Sequence, residues 1–76
     1  MDDLRTVNLT EQELRVLALI SAGYANKEIA VELALSLRSV ERIVTTLLRK
    51  LEAPNRTRAA IKYRSLFTGE AREVGG

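Results

Sequence analysis

Between Leu37 and Leu51, polar side chains recur on one helical face: Arg38, Glu41, Arg42, Thr45 and Arg49. Val40, Val44, Leu47 and Leu51 fall at i, i+4, i+7 and i+11 on the other. A guanidinium fork can engage the two major-groove acceptors of guanine, or a phosphate, and a carboxylate can accept from the amino group of cytosine. Lys27 sits in the first turn of a preceding helical pattern, where free backbone amides and the helix dipole favour an anion, and Asn26 beside it can add a hydrogen bond. This is chemistry for holding a polyanion, not for breaking bonds. The chain has no His and no Cys, no glycine loop to cradle phosphate and no carboxylate pair placed by a pocket. An enzyme is therefore the least expected class, and neither a metal nor a cofactor is expected.

Charge distribution points the same way more weakly. From Lys27 to Arg64 nine basic residues stand against Glu28, Glu32, Glu41 and Glu52, a surplus of five, whereas the whole chain carries only +2. Such polarity suits a molecule with one face on polyphosphate. On charge alone, an ordinary solvated surface is the simpler account.

These residues need elements to hold them, and the sequence marks four helices. Thr10 and Glu13 have capping-box spacing, with Leu9 and Leu14 placed as a hydrophobic staple. The first helix starts there; Leu14, Val16, Leu17, Ala18, Leu19 and Ile20 would bury it on most sides, and Gly23 is placed to end it. A second helix is expected over about 26–33, with Ile29, Ala30 and Leu33 inward. Its cap is ambiguous: Ala25 has Glu28 three residues on but no side-chain oxygen, so Asn26 is an alternative. Ser36 caps the third helix, 37–51, with Leu35 stapling to Val40. Only Ala34, Leu35 and Ser36 separate the second helix from the third, a connection short enough to force a sharp angle. Pro54 blocks continuation, and Asn55 can cap a fourth helix from about Arg56 to Phe67, closed near Gly69.

The expected fold is thus all-α, four helices with a helix-turn-helix. Residues 1–8 read as a flexible N-terminal segment, 9–68 as the folded domain and 69–76 as a disordered tail. At 76 residues the chain is one domain that can bury about 60% of its unfolded surface. Its 46% apolar residues suffice for a small helical core without staples. No apolar run approaches the roughly 20 residues of a membrane span, and MDDLRTVN is unlike a signal peptide. The expectation is a cytoplasmic protein with no membrane partner.

In order, these motifs resemble the LuxR/GerE-type helix-turn-helix family of bacterial transcription regulators. The residues that carry the resemblance are Leu9, Thr10, Glu13, Leu17, Gly23, Asn26, Lys27, Glu28, Ile29, Ala30, Leu33, Ser36, Val40, Lys50, Leu51, Arg56 and Ala59. The resemblance covers nearly the whole chain from Leu9 to about Leu66, with the spacing kept throughout. A capping box or the run NKEIA alone recurs by chance; the ordered set does not.

The resemblance implies sequence-specific binding of double-stranded DNA, with the third helix in the major groove and Glu41, Arg42 and Thr45 at the base-reading positions. Arg42 is the leading candidate for a guanine. Asn26, Lys27, Arg38, Ser39 and Arg49 are then candidate phosphate contacts; for Lys50 and Arg56 a fold-stabilising role is at least as well motivated. In the family the fourth helix commonly forms the dimer interface, so Ala60, Ile61 and Arg64 are candidate contacts of a homodimer. RNA polymerase is a further candidate partner, and the bacterial nucleoid the expected location.

Four positions depart from the family pattern: Gln12 stands for a usual Arg, Ala25 for a Ser or Thr cap, Glu41 for a Lys and Ile43 for a His. Glu41 puts an acid on the reading face, where it would either alter site preference or pair with Arg38 or the neighbourhood of Arg42 and orient a guanidinium. Two rival functions follow: a sigma-factor-like promoter-reading region, which the G-x-x-N-K-E-I-A spacing fits less well, and a protein-interaction module that has lost DNA binding. Met1 lies close to the first helix, leaving no room for a receiver or ligand-binding domain. That fits a stand-alone regulator of the GerE kind, or equally a fragment of a longer chain.

Overall fold

Thr10 sits in extended backbone just ahead of the first helix, and its hydroxyl accepts from the Glu13 amide at 3.0 Å while the Glu13 carboxylate accepts from the Thr10 amide at 2.9 Å. The capping box expected from the two residues is complete, and α1 runs Glu11–Ser21. The computed structural model describes the backbone of residues 8–75 and the side chains of 8–65. The flexible segment expected over 1–8 therefore lies, except for Asn8, outside the described residues.

Three further helices follow: α2 Asn26–Leu33, α3 Leu37–Leu51 and α4 Arg56–Gly75. Three of the four starts carry a side-chain cap. Ser36 accepts from the Ser39 amide at 3.1 Å, and Asn55 Oδ1 accepts from the Arg58 amide at 2.9 Å. At α2 the cap residue is Ala25, not Asn26, which is the first helical residue. Half a capping box survives there, because the Glu28 carboxylate accepts from the Ala25 amide at 2.7 Å with no oxygen on Ala25 to reciprocate.

Each of the first three helices ends in a left-handed residue. Gly23 closes α1 with φ 95°, and the bonds from Gly23 N to Ile20 O and from Tyr24 N to Leu19 O form a Schellman motif. The same 6→1 bond recurs from Leu35 N to Ala30 O and from Ala53 N to Leu48 O, but there the left-handed residues are Ala34 and Glu52. Each motif turns the next apolar residue, Tyr24, Leu35 or Ala53, back onto the core.

The core is formed where α1 packs on α4 and α3, with α2 packed chiefly on α3. Val16, Leu17, Ile29, Val40, Leu47 and Ala59 are wholly buried at its centre. Full burial of a Val, Leu or Ile side chain contributes about 1.5–3 kcal/mol. The stripe foreseen on α3, Val40, Val44, Leu47 and Leu51, is the buried face of that helix. The expectation that α1 is buried on most sides is too strong. Leu14 is 42% exposed, so the staple partner Leu9 packs on the core while Leu14 faces outward.

The helix end foreseen near Gly69 is also displaced, since α4 continues to Gly75. One glycine inside a helix costs about 1 kcal/mol and does not end it when good helix formers follow; Glu70, Ala71, Arg72 and Glu73 do. The boundary drawn between 68 and 69 thus does not coincide with a helix end. Among the described residues, no helix is long and apolar enough to cross a membrane and no group of His, Cys, Asp or Glu could hold a metal ion.

Candidate nucleic-acid interface

α3 separates its apolar and polar faces more sharply than any other helix. With Val40, Val44, Leu47 and Leu51 inward, Arg38, Glu41, Arg42, Thr45 and Arg49 all stand exposed on the other side. None of Arg38, Arg42 and Arg49 has an ion-pair partner among the described residues. Three guanidinium groups therefore lie on this face with their donors open to a ligand. The Glu41 carboxylate also lacks an ion-pair or hydrogen-bond partner among the described residues, so the pairing with Arg38 or Arg42 considered above is not formed. Thr45 is different: its hydroxyl donates to the Glu41 carbonyl at 3.0 Å. It retains lone pairs and a methyl group.

At the start of α3 the Ser36 hydroxyl accepts from the Ser39 amide and donates to Ser39 Oγ at 3.0 Å. Ser39 accepts in that bond and so keeps its own proton for an outside acceptor. Lys27 is exposed in the first turn of α2. The short turn Ala34–Ser36 joins α2 to α3, which pack against each other, with Leu35 held against the core. Lys27, Arg38, Ser39 and Arg49 can thus flank a bound polyanion around the α3 face.

Asn26 is placed otherwise. Its side-chain oxygen accepts from Arg56 Nη1 at 2.8 Å, and Arg56 Nη2 donates to the Tyr24 carbonyl at 2.8 Å. Only the amide N–H groups of Asn26 remain for a phosphate; its oxygen holds α4 against the start of α2. Lys50 is similarly engaged, with Nζ 2.9 Å from Glu13 Oε1 and 2.9 Å from the Asn8 carbonyl. Lys62 Nζ donates to the Leu51 carbonyl at 2.9 Å, where it satisfies a free acceptor at the end of α3. Arg56, Lys50 and Lys62 are thus engaged within the fold. Lys62 carried no signal in the sequence, because its partner is a backbone carbonyl reached only once α3 and α4 are packed.

The residues considered for a dimer contact divide. Ile61 is 46% exposed and Arg64 is exposed, while Ala60 is half-buried against its own core. Ala59 is fully buried and Tyr63 packs on the core; the side chain of Leu66 lies outside those described.

A family model for bacterial regulatory proteins of the luxR family matches residues 7–63, which covers all of α1, α2 and α3 and the start of α4. The chain belongs to the LuxR family. It is 43% identical to the transcriptional regulatory protein LiaR of Bacillus subtilis (strain 168) over 54 residues, 71% of this chain and 26% of that protein. It is also 43% identical to the response regulator protein VraR of Staphylococcus aureus (strain Mu3 / ATCC 700698) over 53 residues, 70% of this chain and 25% of that one. The chain thus spans about a quarter of the length of these curated relatives. No solved structure matches it.

Against the LuxR-family pattern, the four departures now have places. Gln12 is exposed on α1, and Ala25 leaves α2 with its half-formed cap. Ile43, where a His is usual, is half-buried and packed on the core, so it extends the apolar stripe of α3. Glu41 alone changes the chemistry of the exposed α3 face.

Proposed function

We propose that this LuxR-family chain is a sequence-specific, double-stranded DNA-binding regulator of transcription. α3 enters the major groove, where Glu41, Arg42 and Thr45 meet base edges; Lys27, Arg38, Ser39, Arg49 and the Asn26 amide meet phosphates. The observation that carries this reading is the exposed α3 face, whose three arginines have no ion-pair partner among the described residues. Such a face leaves the guanidinium donors available to phosphate oxygens and base edges. Ile43 packs inward, which removes one of the two reasons for supposing that the fold has been kept and DNA binding lost.

Two copies dimerise on DNA through α4, around Ile61 and Arg64, and read two half-sites. Ile61 is the one large apolar side chain exposed on α4 among the described residues, and so small a patch supports only weak association in free solution. Sedimentation at micromolar concentration should accordingly find a monomer without DNA and two copies per duplex with it. The protein works at the bacterial nucleoid, with RNA polymerase as a further partner.

Selection of bound duplexes from a random pool tests the reading directly, because it reports binding, half-site symmetry and spacing together. With Lys27, Arg38 and Arg49 each neutralising one phosphate, the log–log dependence of affinity on salt should have a slope of about −2.7 per copy. Failure to bind any duplex at low salt would overturn the proposal.

A further inference from the structure

The reading face carries two acceptors one helical turn apart, Glu41 and Thr45. Glu41 carries a carboxylate that is exposed and without an ion-pair or hydrogen-bond partner among the described residues. Thr45, one turn further along, has its hydroxyl proton committed to the Glu41 carbonyl at 3.0 Å. A hydroxyl in that state offers only lone pairs outward. Residues four apart lie on one helix face about 6 Å apart along the axis, roughly two base steps. No base edge offers a cation in the major groove. The donors available there are the N4 amino group of cytosine and the N6 amino group of adenine; guanine and thymine present acceptors only.

We propose that Glu41 and Thr45 make this chain a reader of exocyclic amino groups, with Glu41 demanding a cytosine or adenine amino donor at one position of each half-site. This inference rests on α3 lying in the major groove. Glu41 works in two directions. Over a matching amino group it gains a charge-assisted hydrogen bond, and over guanine or thymine it sets an anion against a base acceptor while the flanking phosphates repel it. Discrimination at this position comes as much from rejecting wrong sites as from holding the right one. Arg42, next to Glu41 with all its donors open, supplies the complementary demand for acceptors, met by guanine.

The test compares selected sites of the wild-type chain with those of Glu41→Ala and Thr45→Val. Both side chains are exposed and outside the core, and circular dichroism verifies that each variant folds. Wild type should select cytosine or adenine at one position per half-site. Glu41→Ala should lose that preference while keeping the guanine attributed to Arg42, and should bind non-specific duplex severalfold more tightly. Thr45→Val, similar in shape but without an acceptor, should relax a second position about two base steps away.

A duplex carrying 2-pyrimidinone in place of the selected cytosine, or purine in place of a selected adenine, lacks only the amino group and identifies its source. Wild type should lose roughly tenfold in affinity on the correct analogue, and Glu41→Ala almost nothing. If wild type selects a defined site and Glu41→Ala selects the same one, the inference is wrong while DNA reading stands. Selection of guanine or thymine at the Glu41 position overturns it equally. If no duplex is enriched, both the inference and the reading beneath it fail.

Discussion

Arg42 and Lys27 differ in what a loss should do, although both are exposed cations without an ion-pair partner among the described residues. Arg42 projects from the middle of the outward face of α3, and its fork suits a single guanine; Arg42→Ala should erase preference at one base position and cost about 1–3 kcal/mol on the selected site. Lys27 stands in the first turn of α2, where a phosphate would meet free amides as well as the ammonium. Lys27→Ala should weaken all sequences alike and reduce the salt slope by about 0.9. Site selection repeated with each variant, together with titrations at several salt concentrations, separates the two. An unchanged selected site for Arg42→Ala would rule out its base-reading role. Residue type and spacing made both side chains visible in the sequence: exposure of Arg42 follows from the rhythm of the buried stripe on α3, and the place of Lys27 from its position in the first turn of α2. The use of the Asn26 oxygen could not be seen that way, since its partner Arg56 is 30 positions distant.

The helix starts were legible because their signals are local. Thr10, Ser36 and Asn55 each satisfy an amide three residues on, and that spacing can be read without knowing the fold. Helix ends were less so. Gly23 marks its left-handed turn by residue type, but Ala34 and Glu52 adopt φ 56° and 55° with side chains that normally avoid that region. The returning apolar residues, Leu35 and Ala53, hold them there by packing on the core, a cause outside the local sequence. At Ala34 the strain sits in the turn that orients α3. Ala34→Gly should therefore stabilise the domain by about 1 kcal/mol, the relief of left-handed strain being set against the greater freedom of glycine in the unfolded chain. Ser36→Ala should destabilise it by about 1 kcal/mol through loss of the cap. Urea unfolding with an unchanged m-value checks both. A destabilised Ala34→Gly would show that the methyl group contributes more by packing than it costs in strain.

For the molecule as a whole, order depends on polar ties between segments distant in the chain, and pattern reading cannot pair those. Arg56 binds the start of α4 to Tyr24 and Asn26, Lys62 binds α4 to the end of α3, and Lys50 binds the last turn of α3 to Glu13 and Asn8. The Glu13–Lys50 pair links stability to pH, because its carboxylate is buried, Glu13 being only 8% exposed. Burial works to raise its pKa, but the Thr10 hydrogen bonds and the Lys50 ammonium together outweigh it and hold the carboxyl below its ordinary value. A carboxylate with a depressed folded-state pKa stabilises fully above its unfolded value, about 4.3, and that contribution is lost as pH falls through the folded value. Thermal unfolding of the wild type should accordingly weaken below about pH 4.3. Lys50→Met keeps the packing of the stem but leaves a buried carboxylate short of a partner, which should cost about 2 kcal/mol at pH 7. In that variant burial is opposed only by Thr10, so acid protonates Glu13 more readily and removes less stability. The two stability curves should converge between neutral pH and about pH 3; parallel curves would show that the pair is not the source of the acid dependence. Because Lys50 is engaged within the fold, the folded variant should keep the wild-type salt slope for DNA, whereas a phosphate-contacting lysine would lower it by about 0.9.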